Sequence, residues 1–410
     1  MTQNLKISNK MKKSLYILSL GLASVAAAFS LGSCSQTDAQ MDEGKTPAVE
    51  YVRVCDPQAA DSLLVRAAMG QNICLMGQHL GDVQEIWFND QKALLNPTLI
   101  TSFSIIVTVP NRIPDEVTNE ITLVTGSGKK ATFPFEVVVP NPMITALSCE
   151  YARPGDRISL TGDFFIEPKV YFTGASEPAE ILSFDQQNIS LVVPDGVSEG
   201  PITVESIYGR TRSAFNFLDT TGLITNFDDG YTNPWGRGTV MADETSISGN
   251  YLLMETPALG AWGWNESLMW GYWAYGEGAK GNVPIAQGDA SNLCLKFEAN
   301  IETWQDVPML FWFQKWTPGG NISPDDAQYA QAHWKPWIKN GAKVDAATDG
   351  WVTVSIPLTE FKYNKEESQD NLSVGDIANY TDLNIMVFGA GDITAPMKVK
   401  MDNFRIVKLK

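Results

Sequence analysis

The 410-residue chain is poor in positive charge: 30 Lys and Arg stand against 47 Asp and Glu, a formal net charge of −17. That balance excludes a nucleic-acid partner, whose phosphates require a basic footprint. Histidine is scarce, with only His79 and His333. Neither sits beside a nucleophile motif, which excludes a histidine-dependent catalytic triad. The five cysteines, at 34, 55, 74, 149 and 294, form no CxxC pair and no dense framework, which argues against a zinc site. Cys55, Cys74, Cys149 and Cys294 read as buried small hydrophobes. With 44% hydrophobic and 19% charged residues the chain is neither disordered nor an integral membrane protein. At roughly 150 residues per domain the length suits two to four domains.

What is present starts with an address. Met11-Lys12-Lys13 opens a basic region, Leu15 to Phe29 is apolar, and the segment ends Leu31-Gly32-Ser33-Cys34. This is the pattern of a secretory signal, and the apolar run is short for a membrane span of about 20 residues. Leu-Gly-Ser-Cys resembles the lipobox of bacterial lipoproteins, which implies cleavage before Cys34 and acylation of its thiol. Residues 35–47 are polar and acidic and read as a flexible tether. They are similar to the acidic stretches that follow the cysteine in surface-exposed lipoproteins of Bacteroidota-type bacteria.

From residue 48 the sequence breaks into short apolar runs divided by Gly, Pro and Asn. Ile73 to Gly77, Ile86 to Phe88, Ile105 to Val109, Ile121 to Val124 and Phe133 to Val139 predict strands. A short stretch of helical period covers Asp61 to Ala68. The set then recurs as Ile158 to Gly162, Val170 to Phe172, Ile189 to Val193, Ile202 to Val204 and Phe215 to Phe217. The landmarks stand 82 to 85 residues apart, which marks a duplication. Gly77 and Gly162, Val-Pro at 109–110 and 193–194, and Gly128 and Gly209 resemble the IPT/TIG type of immunoglobulin-like domain. Domains are expected at 48–140 and 141–219, acting as a stiff spacer.

Beyond Thr220 the composition changes. Of 12 tryptophans only Trp87 comes earlier, and nine fall between 262 and 337. Leu293 to Phe297, Met309 to Trp316, Val352 to Ile356, Leu383 to Phe388 and Val399 to Val407 predict strands with one face buried and one open. Residues 220–410 are therefore expected to form a larger β-sandwich or jelly roll, and the chain as a whole to be all-β. An indole against the C–H face of a sugar ring gains dispersion and a favourable π contact, while nearby amides and carboxylates bind the hydroxyls. Trp334 and Trp337, in an apparent loop, are the leading exposed candidates, followed by Trp316 and Trp312. Gln314 shares their predicted open face, and Trp262, Trp264 and Trp273 complete the ligand-binding set. Trp270 is weighed with them, and Trp351 and Trp235 are expected at the core or a domain junction. Asn226 to Gly230 and Met401 to Ile406 resemble the terminal strands of jelly-roll carbohydrate-binding modules, some of which hold a structural calcium. Here these carboxylates are expected to be solvated turn groups, with no metal and no cofactor.

Signal, tether, two IPT/TIG-like modules and an aromatic-rich terminal sandwich together resemble the surface glycan-binding lipoproteins of polysaccharide-utilisation systems. The resemblance implies a non-catalytic outer-membrane lipoprotein facing the exterior and held by lipid alone. It also implies a ligand such as xyloglucan, mixed-linkage glucan or mannan. An outer-membrane glycan importer and companion binding lipoproteins are the implied partners. Two rivals are a jelly-roll endoglycanase using Glu266 and Glu277, since glycoside hydrolysis needs two carboxylates roughly 5–10 Å apart, and a protein-binding adhesin or importer scaffold.

Overall fold

The computed structural model describes residues 37–59, 61–230, 239–263, 265–273, 288–315, 329–389 and 391–409, the side chain of Trp273 excepted. Cys34, Trp235, Trp264, Glu277 and Trp316 lie outside the described residues. The chain divides into two compact units, residues 1–139 and 140–410. Every sheet of four or more strands is antiparallel.

The first unit is a small sandwich. One sheet runs Leu63–Leu64, Ala48–Val54, Asn72–Gln78, Ser104–Thr108; the other runs Gln91–Lys92, Val83–Phe88, Glu120–Thr125, Lys130–Pro134. Alternate residues from both, among them Val52, Ile73, Leu75, Ile86, Phe88, Ile105 and Leu123, meet in one core. The helical reading of Asp61 to Ala68 is corrected: Leu63–Leu64 and Arg66–Ala68 are strands. Sheet pairing overrode the local period there, since Arg66–Ala68 joins Glu136–Val138 in parallel.

The tether reading is corrected as well. Asp38–Asp42 is a turn of α-helix with a capping box, in which Thr37 and Gln40 exchange side-chain-to-backbone hydrogen bonds. Asp42 is buried and accepts from the Gly81 N–H at 3.0 Å. Asp38 accepts from the Ser102 N–H at 3.3 Å.

The second unit begins with a module that repeats the first sandwich. Met143–Leu147, Arg157–Asp163, Asn188–Val192 and Ile181–Phe184 form one sheet, and Lys169–Tyr171, Gly200–Ser206 and Gly209–Phe217 the other. The repeated glycines have a common cause. In each module the first strand carries a bulge, between Val49 and Tyr51 or between Ile144 and Ala146. A Cβ on Gly77 would lie 1.9 Å from the Ala48 carbonyl oxygen, and one on Gly162 1.9 Å from that of Met143. Only glycine fits under the bulged strand.

The larger sandwich follows. Its first sheet orders Thr239–Met241, Tyr251–Thr256, Met397–Lys408, Leu293–Thr303, Val352–Pro357, with Leu223–Thr225 also paired to the 397–408 strand. Its second orders Met269–Trp273, Asp382–Val387, Met309–Gln314, Gln331–Trp334. Phe297 and Phe404 stack at 4.7 Å on the first sheet, and Phe311 of the second meets Phe297 at 5.3 Å.

A buried ion network runs through this unit. Arg405 donates to Glu298 through both terminal nitrogens, at 2.8 and 3.1 Å, and to Glu150 of the preceding module at 2.7 Å. Lys296 pairs with the other oxygen of Glu150. The Thr353 hydroxyl accepts from the Glu150 N–H and donates to Glu298. Trp351 packs against the core of that same module and donates its indole N–H to the Thr245 carbonyl at 2.7 Å, the junction role expected of it.

Candidate functional site

The second sheet of the large sandwich has two faces. Met309, Phe311, Phe313, Leu383, Ile385, Val387, Trp270 and Tyr272 fill the core. The alternate residues line up on the outer face through the register: Asp382 stands opposite Gln314, Asn384 opposite Gly271 and Trp312, and Met386 opposite Met269 and Leu310. Gln331 pairs with Trp312, and His333 with Leu310. From Asp382 to Phe388 this face measures about 20 Å.

The sequence places Trp312 and Gln314 on this face correctly but expects them open to water. Both are enclosed, Trp312 at 0% exposure and Gln314 at 5%. Trp312 donates its indole N–H to Gln314 at 3.2 Å and packs with Leu310, Met269 and Met386. Likewise Asn384 and Asp382 are fully buried, so the alternation in 382–387 hides two buried faces.

Trp334 and Trp337 also depart from expectation. Gln331–Trp334 is a strand, not a loop, and its core-facing Trp334 meets Phe297 edge-on at 5.2 Å. Trp304 then bridges Trp334 and Trp337 at 5.1 and 5.0 Å. Trp337 is 5% exposed, so these two indoles cap the core rather than form a shelf. Edge-to-face aromatic pairs add about 0.5–1.5 kcal/mol each beyond the area they bury, which favours the packed arrangement.

Trp262 is the described tryptophan that stands in the open, at 43% exposure. Its backbone is left-handed, with φ 56°, a conformation that costs a non-glycine residue about 1–3 kcal/mol. The turn is held by the Trp262 N–H on the Gly389 carbonyl at 2.8 Å and by the Ala261 N–H on Asp392 at 2.6 Å. The indole lies 5.3 Å from Phe388, which follows the central strand and packs on the outer-face cluster. The Lys365 ammonium sits over both rings, at 4.9 and 5.4 Å.

Trp262 opens onto a cleft of about 500 Å³, lined also by Asp306, His333, Lys335, Lys365 and Glu367. Glu367 accepts from His333 Nδ1 at 2.6 Å and pairs with Lys335. Burial holds His333 below the usual imidazole range against the pull of Glu367. Burial would raise the Glu367 carboxyl, but Lys335 and His333 keep it lowered. The cleft therefore sets a buried, neutral imidazole, the acidic Asp306, Glu366 and Glu367 and the basic Lys335 and Lys365 beside an exposed aromatic face. Sequence reading finds Trp262 but misses Phe388, Lys365 and Glu367.

The carboxylate near the end of the domain departs from expectation. Asp402 is not a solvated turn group: it is buried in the long 397–408 strand and accepts from the Ser248 hydroxyl at 2.8 Å and the Asn403 N–H at 2.7 Å. Burial pushes its carboxyl up to about 8, so at neutral pH it is mostly protonated. Among the described residues no group of three His, Cys, Asp or Glu side chains is placed to hold a metal ion.

Residues 217–408 match the family described as the surface glycan-binding protein B xyloglucan binding domain. The larger sandwich therefore belongs to this domain family. It is a family of cell-surface binding proteins, not catalysts. A Bacteroides ovatus protein described as IPT/TIG domain-containing is 33% identical over 205 residues, 45% of this chain. The match spans 42% of that relative's length. The crystal structure of the surface glycan-binding protein PbSGBP-B from Prevotella bryantii superposes with a TM-score of 0.76 at 28% identity, covering 89% of this chain and 99% of that one. The all-β order of small sandwiches before a larger one is shared.

Proposed function

We propose that this chain captures a polysaccharide at the cell surface without altering it, and that its ligand is a xyloglucan, with mixed-linkage glucan and mannan as poorer fits. The observation that carries the reading is the open Trp262 ring beside Phe388 on a cleft with polar walls, in a domain of a glycan-binding family. A pyranose laid on the indole would bury its C–H face, and Asp306, Lys335 and Glu367 are within the same cleft to meet its hydroxyls. His333, on the outer face of the same sheet, joins the cleft wall. Trp334 and Trp337 contribute by fixing the cleft wall; Trp264, Trp273 and Trp316 stay in the candidate set.

In this reading residues 1–34 are a lipoprotein signal and lipobox, Cys34 carries the acyl chains, and the modules at 48–140 and 141–219 space the binding domain at 220–410 from the outer leaflet. Hydrocarbon burial contributes about 0.8 kcal/mol per CH₂, so several chains anchor the protein firmly. Weak subsites along one glycan chain add, so affinity grows with ligand length, and the captured chain is handed to an outer-membrane importer. Electrophoresis of the mature chain through gels cast with xyloglucan, mixed-linkage glucan or mannan tests the proposal. Retardation is expected, strongest with xyloglucan and weakened by Trp262→Ala. Unchanged mobility in all three gels refutes it.

A further inference from the structure

Thr37, the first described residue, follows Cys34 by three positions. Thr37 caps the Asp38–Asp42 helix, and Asp38 and Asp42 are both tied to the first module, through Ser102 and Gly81. The docking is tight. A Cβ on Gly81 would fall 2.5 Å from the Asp38 carbonyl oxygen, so helix and module touch backbone to backbone. Burial would raise the Asp42 carboxyl, but hydrogen bonds from Ser102, Gly81, His79 and Lys45 hold it lowered and charged. Four residue steps separate Cys34 from Asp38, a reach of about 14 Å at full extension. An acylated Cys34 therefore keeps this end of the module within about 14 Å of the lipid surface.

That end has the chemistry of a lipid contact. Phe103 is 67% exposed at the tip of a turn whose Thr101 hydroxyl accepts from the N–H groups of Phe103 and Ser104. Met41, on the docked helix, is 43% exposed, and Leu99, three residues before Ser102, is 40% exposed. Lys129 and Lys130 are exposed at the adjoining hairpin, whose Gly126 N–H donates to the Asp82 carbonyl next to Gly81. Apolar side chains sink into the headgroup and acyl boundary while lysine ammonium groups meet phosphates. At this pole one exposed phenyl ring and two exposed apolar side chains stand beside two lysines, in a chain of net charge −17.

We propose that this pole of the first module, with Phe103, Leu99 and Met41 and flanked by Lys129 and Lys130, seats on the headgroup layer of the membrane that holds the Cys34 lipid. The seat rests on the lipid-anchor reading above. It orients the first module on the membrane instead of leaving it on a free leash.

The test uses the full lipidated chain in vesicles of phosphatidylethanolamine and phosphatidylglycerol containing a lipid with a shallow nitroxide quencher. A Cys55→Ser background leaves Cys74, Cys149 and Cys294, all buried, and the acylated Cys34. A bimane label is placed at Phe103→Cys or, as control, at Glu116→Cys, in the loop beyond the far end of the Ser104–Thr108 strand. At least threefold quenching at 103 with none at 116 is expected. Equal quenching at the two positions, or none at 103 in vesicle-bound protein, overturns the seat. A chain that does not float with the vesicles instead refutes the lipid anchor and the seat with it; retention in the glycan gels is independent of either result.

Discussion

Replacing Arg405 with Met should destabilise the second unit severely. The guanidinium is 0% exposed and satisfies two carboxylates, Glu298 and Glu150, besides donating to the Asn403 carbonyl. Its plane also lies 4.8 Å from the Tyr151 ring. Without it Glu298, wholly buried, retains only the Thr353 hydroxyl among the hydrogen bonds described above, and Glu150 retains Lys296. Breaking a buried pair by removing one partner costs about 3–5 kcal/mol. At about 2–4 °C per kcal/mol for a unit of this size, the melting temperature should fall by about 10 °C. Burial already pushes the Glu298 carboxyl above its ordinary value against the opposing Arg405. With Arg405 gone that carboxyl rises further, so the loss should shrink in acid, where Glu298 is protonated, and grow toward neutral pH. Because Glu150 belongs to one module and Glu298 to the next, calorimetry of Arg405→Met should also split the melting of the second unit into two transitions. The double variant Arg405→Met with Glu298→Met should regain much of the loss, since a well-packed apolar pair replaces a buried ion pair at little cost. A fall of less than 2 °C at pH 7, or no difference between single and double variants, refutes the reasoning.

Three further outcomes are expected. Gly77→Ala and Gly162→Ala should each destabilise their own module by more than 1 kcal/mol, read by urea unfolding, because each new methyl meets a carbonyl oxygen. Trp337→Ala should cost about 3–5 kcal/mol in the same assay, as a buried aromatic of the Trp304 and Trp334 cluster; a merely functional indole would cost little. Asp402 binds its proton more tightly folded than unfolded, so the stability it contributes is complete below about pH 4 and drains away as pH rises through about 8. Asp402→Asn should therefore flatten the dependence of unfolding free energy on pH between 4 and 8, and an unchanged slope contradicts the burial argument.

Most strands were legible either because a half-buried antiparallel strand writes its period into the sequence, as Ile158 to Gly162 does, or because a buried one is a short continuous apolar run, as Ile73 to Gly77 is. The duplication was legible because the bulge that demands Gly77 also demands Gly162. The docked helix at 38–42 was obscured by acidic composition, although Thr37 and Gln40 have the spacing of a capping box. The site was harder. Indole serves core and ligand equally well, so composition alone does not separate Trp337 from Trp262. Their fates were decided by partners distant in sequence: Trp304 closes over Trp337, while Lys365 and Phe388 reach Trp262 from more than a hundred residues away. Nothing local marks such partners. The nearest signal was the amide-rich alternation of Gln314 and Asn384 on one sheet face.

The most direct test is calorimetric titration of the mature chain with a xyloglucan oligosaccharide several backbone units long, in parallel with Trp262→Ala. Saturable binding by the parent, weakened at least tenfold in a variant whose melting temperature is unchanged, is the expected result. Equal affinity in the two proteins, or no heat from either, contradicts the account.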